Sequence, residues 1–355
     1  MARIIKDLAR GYNAGVKPSL AQWVAQQRST LKLPPAAQTT PLTAEASHRR
    51  FYRLRTSGSQ SLIVMDSPPK LERNQAFVDL AQVFFEANLP VPQILAKDLD
   101  QGFVLMTDVG QRDLFAAYAA GQQEPALAAA LSTLVQLQGV RSEHIPAYSA
   151  GRLRDELGIF EQWFVASLLT QPLATAPTVA FPTELFEPIA AALVAQADQQ
   201  PKACVHRDYH CRNLLFSEAG EFGIVDFQDA LHGPYTYDLA SLLRDCYYLL
   251  PEPVVHHWCE WFRVAIAAPV AADEFRRQMD WMAVQRQLKA VGIFVRLNLR
   301  DNKPSHLRHI VPTVQQLVRL CAPYPELVPL GDLLQAQLPT LQARLDQQQP
   351  PVMTQ

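Results

Sequence analysis

An eight-residue segment of the chain carries the residue types that phosphoryl transfer requires. It reads His206-Arg207-Asp208-Tyr209-His210-Cys211-Arg212-Asn213 and fits the pattern H-R-D-x-x-x-x-N at every fixed position. In that pattern the aspartate accepts the proton of the acceptor hydroxyl, and the asparagine binds magnesium. Four fixed positions match by chance in about one of several hundred chains of this length. The segment therefore predicts a phosphoryl-transfer centre at Asp208, if the neighbouring elements complete a metal site.

The residues that follow predict the second metal ligand. Residues 214–216 are typical of a short strand, 217–220 of a turn, and 222–227 of a return strand. A hairpin of this length folds Asp226, near the end of the return strand, back beside Asn213. Magnesium prefers such hard oxygen ligands and takes the others from phosphates and water. Asn213 and Asp226 are therefore predicted to hold Mg²⁺.

Asp238 is a candidate for a supporting role. It lies at the start of a predicted helix, in the run Tyr237-Asp238-Leu239-Ala240. A carboxylate at this position either caps the helix or accepts hydrogen bonds from the catalytic loop. We interpret Asp238 as a structural anchor and not as a group that takes part in the chemistry.

Hydrophobic periodicity predicts an α+β chain with two lobes. Strands are predicted at residues 50–55, 62–65, 94–98 and 103–109, the first two as an antiparallel hairpin, with helices at 19–29 and 71–88. Beyond Gly110 helices dominate, at about 113–120, 124–138, 152–169, 183–198, 237–249, 253–266, 273–299 and 308–322. We therefore predict a small sheet-containing, nucleotide-binding N-terminal lobe with its hinge at residues 1–109. A larger helical lobe at 110–355 is predicted to carry the catalytic loop and acceptor site, with a ligand cleft between the lobes.

The composition limits the class of protein. The chain has 355 residues and a formal net charge of -2, so no basic field indicates nucleic acid. No apolar stretch of about 18 residues is free of charge or proline, and the N-terminal residues lack a signal-peptide core. The five cysteines form no CxxC pair and no zinc spacing. We expect a cytoplasmic protein that binds neither nucleic acid nor membrane; its oligomeric state is left open by the sequence.

Several segments together resemble a known family. They are VHRDYH at 205–210, DFQDA at 226–230, YDLASLLRD at 237–245 and QRQLKAVGIF at 285–294. Over about residues 30–325 the chain is similar to the aminoglycoside phosphotransferase and choline kinase superfamily. Within it, these segments resemble the bacterial anomeric kinases of N-acetylmuramate and N-acetylglucosamine in peptidoglycan recycling. The resemblance implies a protein-kinase-like fold, ATP as co-substrate, Mg²⁺, Asp208 as base and a sugar 1-phosphate as product.

The sequence departs from the kinase pattern in the segments that would bind the nucleotide phosphates. Met65 stands where a third-strand lysine is expected to hold phosphates, and residues 46–50 replace a glycine-rich loop. Ser47, Arg49 and Arg50 are predicted to bind phosphate oxygens instead, since a guanidinium offers bidentate donors. The alternative is that both arginines are solvated surface charges.

Two further expectations concern the same lobe. Adenine is predicted to bond backbone groups of the hinge near Met106 to Asp108, with Met106 or Leu105 packed on its face. The glutamate that normally pairs with the missing lysine corresponds to Glu72 or Glu86. Without a lysine, either glutamate is expected to be a surface residue.

His210, Gln228 and Arg286 are the predicted acceptor-binding residues. Gln228 stands where protein kinases carry a glycine, and its amide can bond a sugar hydroxyl. Arg286 and Lys289 share one helical side at i and i+3. They either face the anionic lactyl group of N-acetylmuramate or are solvated.

Other functions stay open at this point. A cationic acceptor such as choline or an aminoglycoside requires acidic or aromatic residues in the helical lobe, which Asp155, Glu156, Glu161 and Trp163 can supply. An inactive kinase-like binding module is suggested only by Met65 and the lost glycines. The intact residues of the catalytic loop argue against that module.

Overall fold

The computed structural model describes residues 18–33, 36–42, 48–56, 61–171 and 181–348. The chain forms two compact units. The first comprises the described residues up to Thr133 together with Ser142–His144 and Arg212–Asp229, and the second comprises Leu134–Arg141, Ile145–Cys211 and the described residues from Ala230 onward. The lobe boundary at residue 109 stays a prediction.

The strands of the described residues are short. They are β1 (Ala36–Leu42), β2 (Arg50–Thr56), β3 (Ser61–Asp66), β4 (Ile94–Asp98), β5 (Phe103–Thr107), β6 (Arg112–Asp113), β7 (Lys202–Val205), β8 (Leu214–Phe216), β9 (Phe222–Ile224) and β10 (Leu231–Pro234). The first unit contains an antiparallel sheet in the order β1-β2-β3-β5-β4 and a smaller sheet in the order β6-β8-β9. In the second unit β7 pairs with β10.

Helices make up most of the second unit. The α-helices of the described residues are α1 (Pro18–Thr30), α2 (Asn74–Glu86), α3 (Leu114–Ala119), α4 (Gln123–Gln138), α5 (Ala150–Ile159), α6 (Thr183–Gln199), α7 (Tyr237–Leu243), α8 (Glu252–Ala265), α9 (Ala272–Leu299), α10 (Ile310–Cys321) and α11 (Val328–Gln348). A π-helix, Phe160–Leu169, continues α5, and a 3-10 helix, Pro304–His309, precedes α10. Together with the small antiparallel sheet, these helices confirm the predicted α+β class.

Helix α1 covers one face of the five-stranded sheet. Its residues Leu20, Trp23 and Val24 follow the i, i+3, i+4 spacing of an apolar helix face and are buried. They share a core with alternate residues of three strands: Tyr52, Leu54, Leu62, Val64, Phe103 and Leu105. The predicted hairpin is confirmed, since β2 and β3 pair antiparallel with Phe51 opposite Met65. This packing fixes β5, which leads into the predicted hinge.

The long helix α9 approaches the end of α5 closely. Gly292 makes this possible, because a Cβ atom there would lie 2.6 Å from the carbonyl oxygen of Ile159. The backbone of α9 therefore packs directly on the junction between α5 and the π-helix. This close approach sets the spacing between two helices that carry buried charges facing the catalytic loop.

Three predicted helices are corrected by the structure. The segment predicted at 152–169 divides into α5 and the π-helix, and the one at 308–322 divides into the 3-10 helix and α10. The helix predicted at 237–249 ends at Leu243, because Arg244 leaves the helical conformation with a φ of −117°. Its guanidinium bonds the carboxylate of Asp280 at 3.0 Å.

The predicted phosphate contact of Ser47 falls outside the described residues. It stays a prediction from the sequence.

Candidate phosphoryl-transfer site

The catalytic loop begins where β7 ends, and Asp238 holds its first residues. Asp238 is fully buried in the first turn of α7. Its carboxylate accepts the backbone N–H of His206 at 2.5 Å and that of Arg207 at 2.9 Å. Burial raises the pKa of Asp238 to about 7, although both backbone amides and the Arg286 guanidinium favour the ionised form. The N-cap position of α7 belongs to Thr236, so the contacts of Asp238 are those of a loop anchor.

A second carboxylate anchors the other end of the loop. Asp245 accepts the backbone N–H of Cys211 at 2.9 Å and that of Tyr247 at 2.8 Å. No role was predicted for Asp245, although it lies seven residues after Asp238 in the same run. Buried carboxylates at both ends accept these backbone N–H groups. The loop thereby avoids the free-energy penalty of burying unpaired donors.

Arg207, next to Asp208, has an unusual backbone. Its φ of 78° lies in the left-handed region, which is costly for a residue with a long side chain. The guanidinium of Arg207 is fixed in position, because its Nη2 donates a hydrogen bond to the buried carboxylate of Glu156. Glu156 lies on α5, 51 residues earlier, and no local sequence pattern indicates this pair.

The Asp208 carboxylate faces several cations. Burial raises the pKa of Asp208, but Lys289, His210, Arg207 and Arg286 together hold it below its ordinary value. Asp208 is therefore ionised at neutral pH and able to accept a hydrogen bond from a hydroxyl group. The second unit thus brings Asp208, His210, Arg286 and Asp238 together.

The predicted hairpin between Asn213 and Asp226 is confirmed. Strands β8 and β9 pair antiparallel with Leu214 opposite Ile224. Asp226 follows β9, and its Oδ2 atom lies 3.4 Å from the Nδ2 atom of Asn213. Gln228 donates from Nε2 to the Oδ1 atom of Asp226 at 2.7 Å. The first unit therefore brings Asn213, Asp226 and Gln228 together.

The side chains of Asn213 and Asp226 are of the kind that bind magnesium. Asp226 is exposed and Asn213 is half-buried, so an oxygen of each side chain can meet an ion that also binds phosphates and water. No group of three or more His, Cys, Asp or Glu side chains suited to a metal occurs in the described part of the chain. Two protein ligands are what Mg²⁺ commonly uses beside a nucleotide.

Arg49 is linked to Asp226 through two aromatic rings. It is buried, its Nη2 atom lies 3.5 Å from Glu72 Oε2, and its guanidinium lies 5.5 Å from the Phe77 ring centroid. Phe77 stacks on Phe227, the residue after Asp226, with ring centroids 5.4 Å apart. The burial of Arg49 argues against the alternative of a solvated charge. The expectation for Glu72 is corrected, because Glu72 pairs with Arg49 and also accepts the backbone N–H of His48.

The other predicted nucleotide residues differ in their surroundings. Arg50 is exposed at the start of β2, and Met106 is buried in β5. The Asp108 carboxylate accepts Nε of Arg53 at 2.5 Å and Oγ of Ser61 at 2.6 Å. The Asp108 side chain is thus engaged with Arg53 and Ser61. The predicted adenine contacts involve only backbone groups of this segment, and they stay a prediction.

Arg286 is a buried cation with an unsatisfied donor. Its side chain is nine-tenths buried on α9, and none of the described residues gives its Nε atom a hydrogen-bond partner. By contrast, Lys289 pairs with Glu156 at 3.1 Å and donates to the Tyr237 hydroxyl at 3.1 Å. Of these two residues, Arg286 is the one with an unsatisfied donor among the described residues.

The chain is similar in sequence to known phosphotransferases over most of its length. Residues 38–285 match the model of a phosphotransferase enzyme family, APH. An N-acetylmuramate/N-acetylglucosamine kinase of Pseudomonas aeruginosa is 39% identical over 311 residues, 86% of this chain and 90% of the relative. A protein of the same name from Neisseria meningitidis is 36% identical and covers 82% of this chain and 88% of its own length.

The fold is also found among solved structures. A Plasmodium vivax ethanolamine kinase superposes with a TM-score of 0.60 at 7% identity, covering 89% of this chain and 94% of its own. This likeness confirms the predicted kinase-like fold. In the described part of the chain, no helix is both long and apolar enough to cross a membrane.

Proposed function

Because the chain belongs to the phosphotransferase enzyme family, we propose that it transfers the terminal phosphoryl group of ATP to the anomeric hydroxyl of N-acetylmuramate and N-acetylglucosamine. The observation that carries this proposal is the similarity over most of the chain to two kinases named for these sugars. The product of this reaction is a sugar 1-phosphate. We also propose a cytoplasmic location, where ATP is available as the phosphoryl donor.

In this reaction Asp208 accepts a hydrogen bond from the anomeric hydroxyl and aligns its oxygen with the terminal phosphorus. The nearby cations keep Asp208 ionised, so it is ready to take the proton as the new bond forms. Asn213 and Asp226 would hold Mg²⁺, which spreads the negative charge that develops on the phosphate oxygens. Positioning and charge neutralisation are the main demands of phosphoryl transfer.

For the nucleotide, we propose that Arg49 binds phosphate oxygens in place of the missing lysine. Its pairing with Glu72 resembles the cation–carboxylate pair of kinases, and the Phe77–Phe227 stack connects it to Asp226. Ser47 and Arg50, which flank it in sequence, are proposed to add donors. Adenine is proposed to bond the backbone between Met106 and Asp108.

For the acceptor, we propose contacts from His210, Gln228 and Arg286. The unsatisfied Nε of Arg286 supports a role for this residue in binding an anion, and the lactyl carboxylate of N-acetylmuramate supplies one. The electrostatic effect of His210 on the Asp208 carboxylate supports its proposed contact with the acceptor. Gln228 contacts Asp226 and is proposed to bond a sugar hydroxyl from there.

A cationic acceptor is less well supported. Of the four residues named for such an acceptor, Glu156 is buried against Arg207 and Lys289, and Glu161 pairs with Arg154 at 2.7 Å. These two carboxylates are already neutralised within the chain. An inactive binding module is likewise disfavoured, because Asp208 is ionised and both of its loop anchors are intact.

Product analysis tests the proposed function. The purified protein is incubated with ATP, Mg²⁺ and, separately, N-acetylmuramate, N-acetylglucosamine, choline and an aminoglycoside. We expect turnover of the two sugars and a phosphorus NMR signal coupled to the anomeric proton. A 6-phosphate, or turnover of choline or the aminoglycoside without turnover of either sugar, would contradict the proposal.

Replacing Arg286 tests how the two sugars are distinguished. In Arg286→Ala, binding of N-acetylmuramate is expected to weaken by about 1.5–3 kcal/mol, the range for a hydrogen bond to a charged group. N-acetylglucosamine lacks the carboxylate and should be affected far less. The measurement is kcat/KM for each sugar, with Arg276→Ala on the same helix as a matched control because Arg276 is a surface residue paired with Asp273. Equal losses for both sugars would assign Arg286 to structure.

A further inference from the structure

The side chain of Arg212, the residue before Asn213, makes two defined contacts in the first unit. Its Nη1 atom lies 2.7 Å from Oδ2 of Asp113, and its guanidinium carbon lies 4.2 Å from the ring centroid of Phe115. The side chain is 33% exposed, and a partly exposed ion pair with one ring contact adds little to the free energy of folding. The effect of these contacts is therefore local, on the position of Arg212 and of the residue that follows it.

Asp113 offers Arg212 a fixed acceptor. Its other oxygen, Oδ1, accepts the backbone N–H of Ala116 at 2.8 Å and so caps the first turn of α3. In β6, Asp113 also lies opposite Leu215 of β8. The helix cap and the strand pairing hold this carboxylate independently of Arg212. The guanidinium that pairs with it is thereby tied to the sheet whose strand β8 begins directly after Asn213.

Asn213 is also fixed through its own backbone. Its carbonyl oxygen accepts the N–H of Val225 at 3.1 Å, and Val225 is the residue before Asp226. Strand β8 begins at Leu214, so Asn213 lies outside the pairing of β8 with β6. The bond from Val225 holds the carbonyl side of Asn213, and the peptide on its other side belongs to Arg212. The orientation of the Asn213 side chain toward Asp226 therefore depends on both neighbours.

We propose that Arg212 is a positioning residue, which holds Asn213 in the orientation that lets its amide oxygen bind Mg²⁺ together with Asp226. The inference rests on the proposed function, in which Asn213 and Asp226 hold the ion. Magnesium demands nearly ideal octahedral geometry, so a displaced amide oxygen costs affinity. Partners that orient a metal ligand typically contribute about 10- to 100-fold to metal affinity. Arg212 acts here through Asn213 and not by contact with the ion.

Calorimetry with ATP tests this role without any acceptor. Mg²⁺ is expected to tighten ATP binding, and the factor by which it does so is called the magnesium factor. In Arg212→Ala the magnesium factor should fall about 10-fold, since a ligand of the ion is no longer oriented. The affinity for ATP without metal should change less than about threefold, because the lost charge is partly exposed and screened by salt. An unchanged magnesium factor, or equal losses of affinity with and without Mg²⁺, would overturn the proposal.

Asp113→Asn tests the ion pair through its other member. The amide oxygen still accepts the N–H of Ala116, but the NH₂ group that then faces Arg212 is unable to accept a hydrogen bond. We expect the magnesium factor to fall about as far as in Arg212→Ala. In the double variant Arg212→Ala/Asp113→Asn it should fall no further, because both substitutions break the same link.

The opposite charges of this pair make the comparison sharper. Arg212→Ala removes a positive charge and Asp113→Asn removes a negative one, so a fall in both variants does not arise from the long-range field of the lost charge. A wild-type magnesium factor in Asp113→Asn would contradict the proposal. A double variant that shows the product of the two single losses would contradict it as well.

Arg112→Ala is the matched control. Arg112 is the neighbouring arginine on β6, and its guanidinium carbon lies 5.5 Å from the ring centroid of Phe216, at the far end of β8. This variant should keep the wild-type magnesium factor, and a loss equal to that of Arg212→Ala would refute a specific role for Arg212. Should Arg212→Ala fail to fold, Asp113→Asn decides alone by the same criterion.

The wild type and Asp226→Asn separate this inference from the proposed function. If Mg²⁺ tightens ATP binding in the wild type and Asp226→Asn abolishes that effect, the metal site stands and the Arg212 variants test positioning alone. If Mg²⁺ fails to tighten ATP binding in the wild type, the metal site and the positioning role are both refuted. A different acceptor from the panel would refute the proposed sugar substrates and leave this test intact, since no acceptor is present.

Discussion

Asp208→Asn is expected to abolish turnover while the protein still binds Mg²⁺-ATP. The amide keeps the shape of the side chain, but it cannot take the proton of the acceptor hydroxyl. A positioned base contributes about 10²–10⁴-fold to the rate, so kcat should fall by that amount. The nucleotide is expected to bind unchanged, because its proposed contacts come from Arg49, the hinge and the metal ligands of the first unit.

Two measurements check this expectation. Coupled ADP release gives kcat, and calorimetry gives the affinity for Mg²⁺-ATP. Asp273→Asn is a suitable control, because this aspartate is exposed and pairs with Arg276 on the surface. Turnover of Asp208→Asn within about threefold of wild type would show that Asp208 is not the base.

Asp226→Ala is expected to remove the magnesium dependence of nucleotide binding. Asp226 is the charged member of the proposed Asn213–Asp226 pair, and losing it leaves the ion only a neutral amide from the protein. A metal that neutralises phosphate charge contributes several kcal/mol, so kcat should fall on the order of 10³-fold. The wild type should bind ATP more tightly with Mg²⁺ than without, and the variant equally in both conditions.

Backbone strain has to be separated from loss of the metal ligand. Asp226 has a φ of 68°, a conformation that alanine disfavours and asparagine tolerates. Asp226→Asn is therefore measured in parallel and should show the same loss of magnesium dependence. Glu221→Ala, an exposed acid on the same hairpin, serves as the control. Unchanged Mg²⁺-ATP affinity in both Asp226 variants would rule out the metal assignment.

The parts of the site that lie close together in sequence were predictable. Asn213 and Asp226 are joined by one hairpin, whose strand and turn residues follow each other directly, and the structure places their side chains 3.4 Å apart. The β2–β3 hairpin and most helices were predictable for the same reason, since periodicity reports local structure. The motif itself identified the candidate base.

Contacts between distant segments were not predictable. Nothing in the pattern around Glu156 indicates that it meets Arg207 and Lys289, because a buried glutamate and a surface glutamate have the same place in a helical repeat. Strand β10 was missed as well, since Leu231-His232-Gly233-Pro234 contains turn residues. Gly233 is instead required by packing: a Cβ atom there would lie 2.8 Å from the Tyr148 ring. Helix α11 was missed, and it contains Pro339 in its interior.

The left-handed backbone of Asp226 has a consequence for protein engineering. Glycine adopts a φ of 68° without strain, whereas a side chain there costs on the order of 1–3 kcal/mol. A screen that rewards heat resistance alone would therefore favour Asp226→Gly, although the greater freedom of glycine in the unfolded chain offsets part of the gain. Such a variant would gain thermal stability and lose catalytic turnover. A consensus or stability-guided redesign of this enzyme should keep Asp226 fixed and seek its improvements elsewhere.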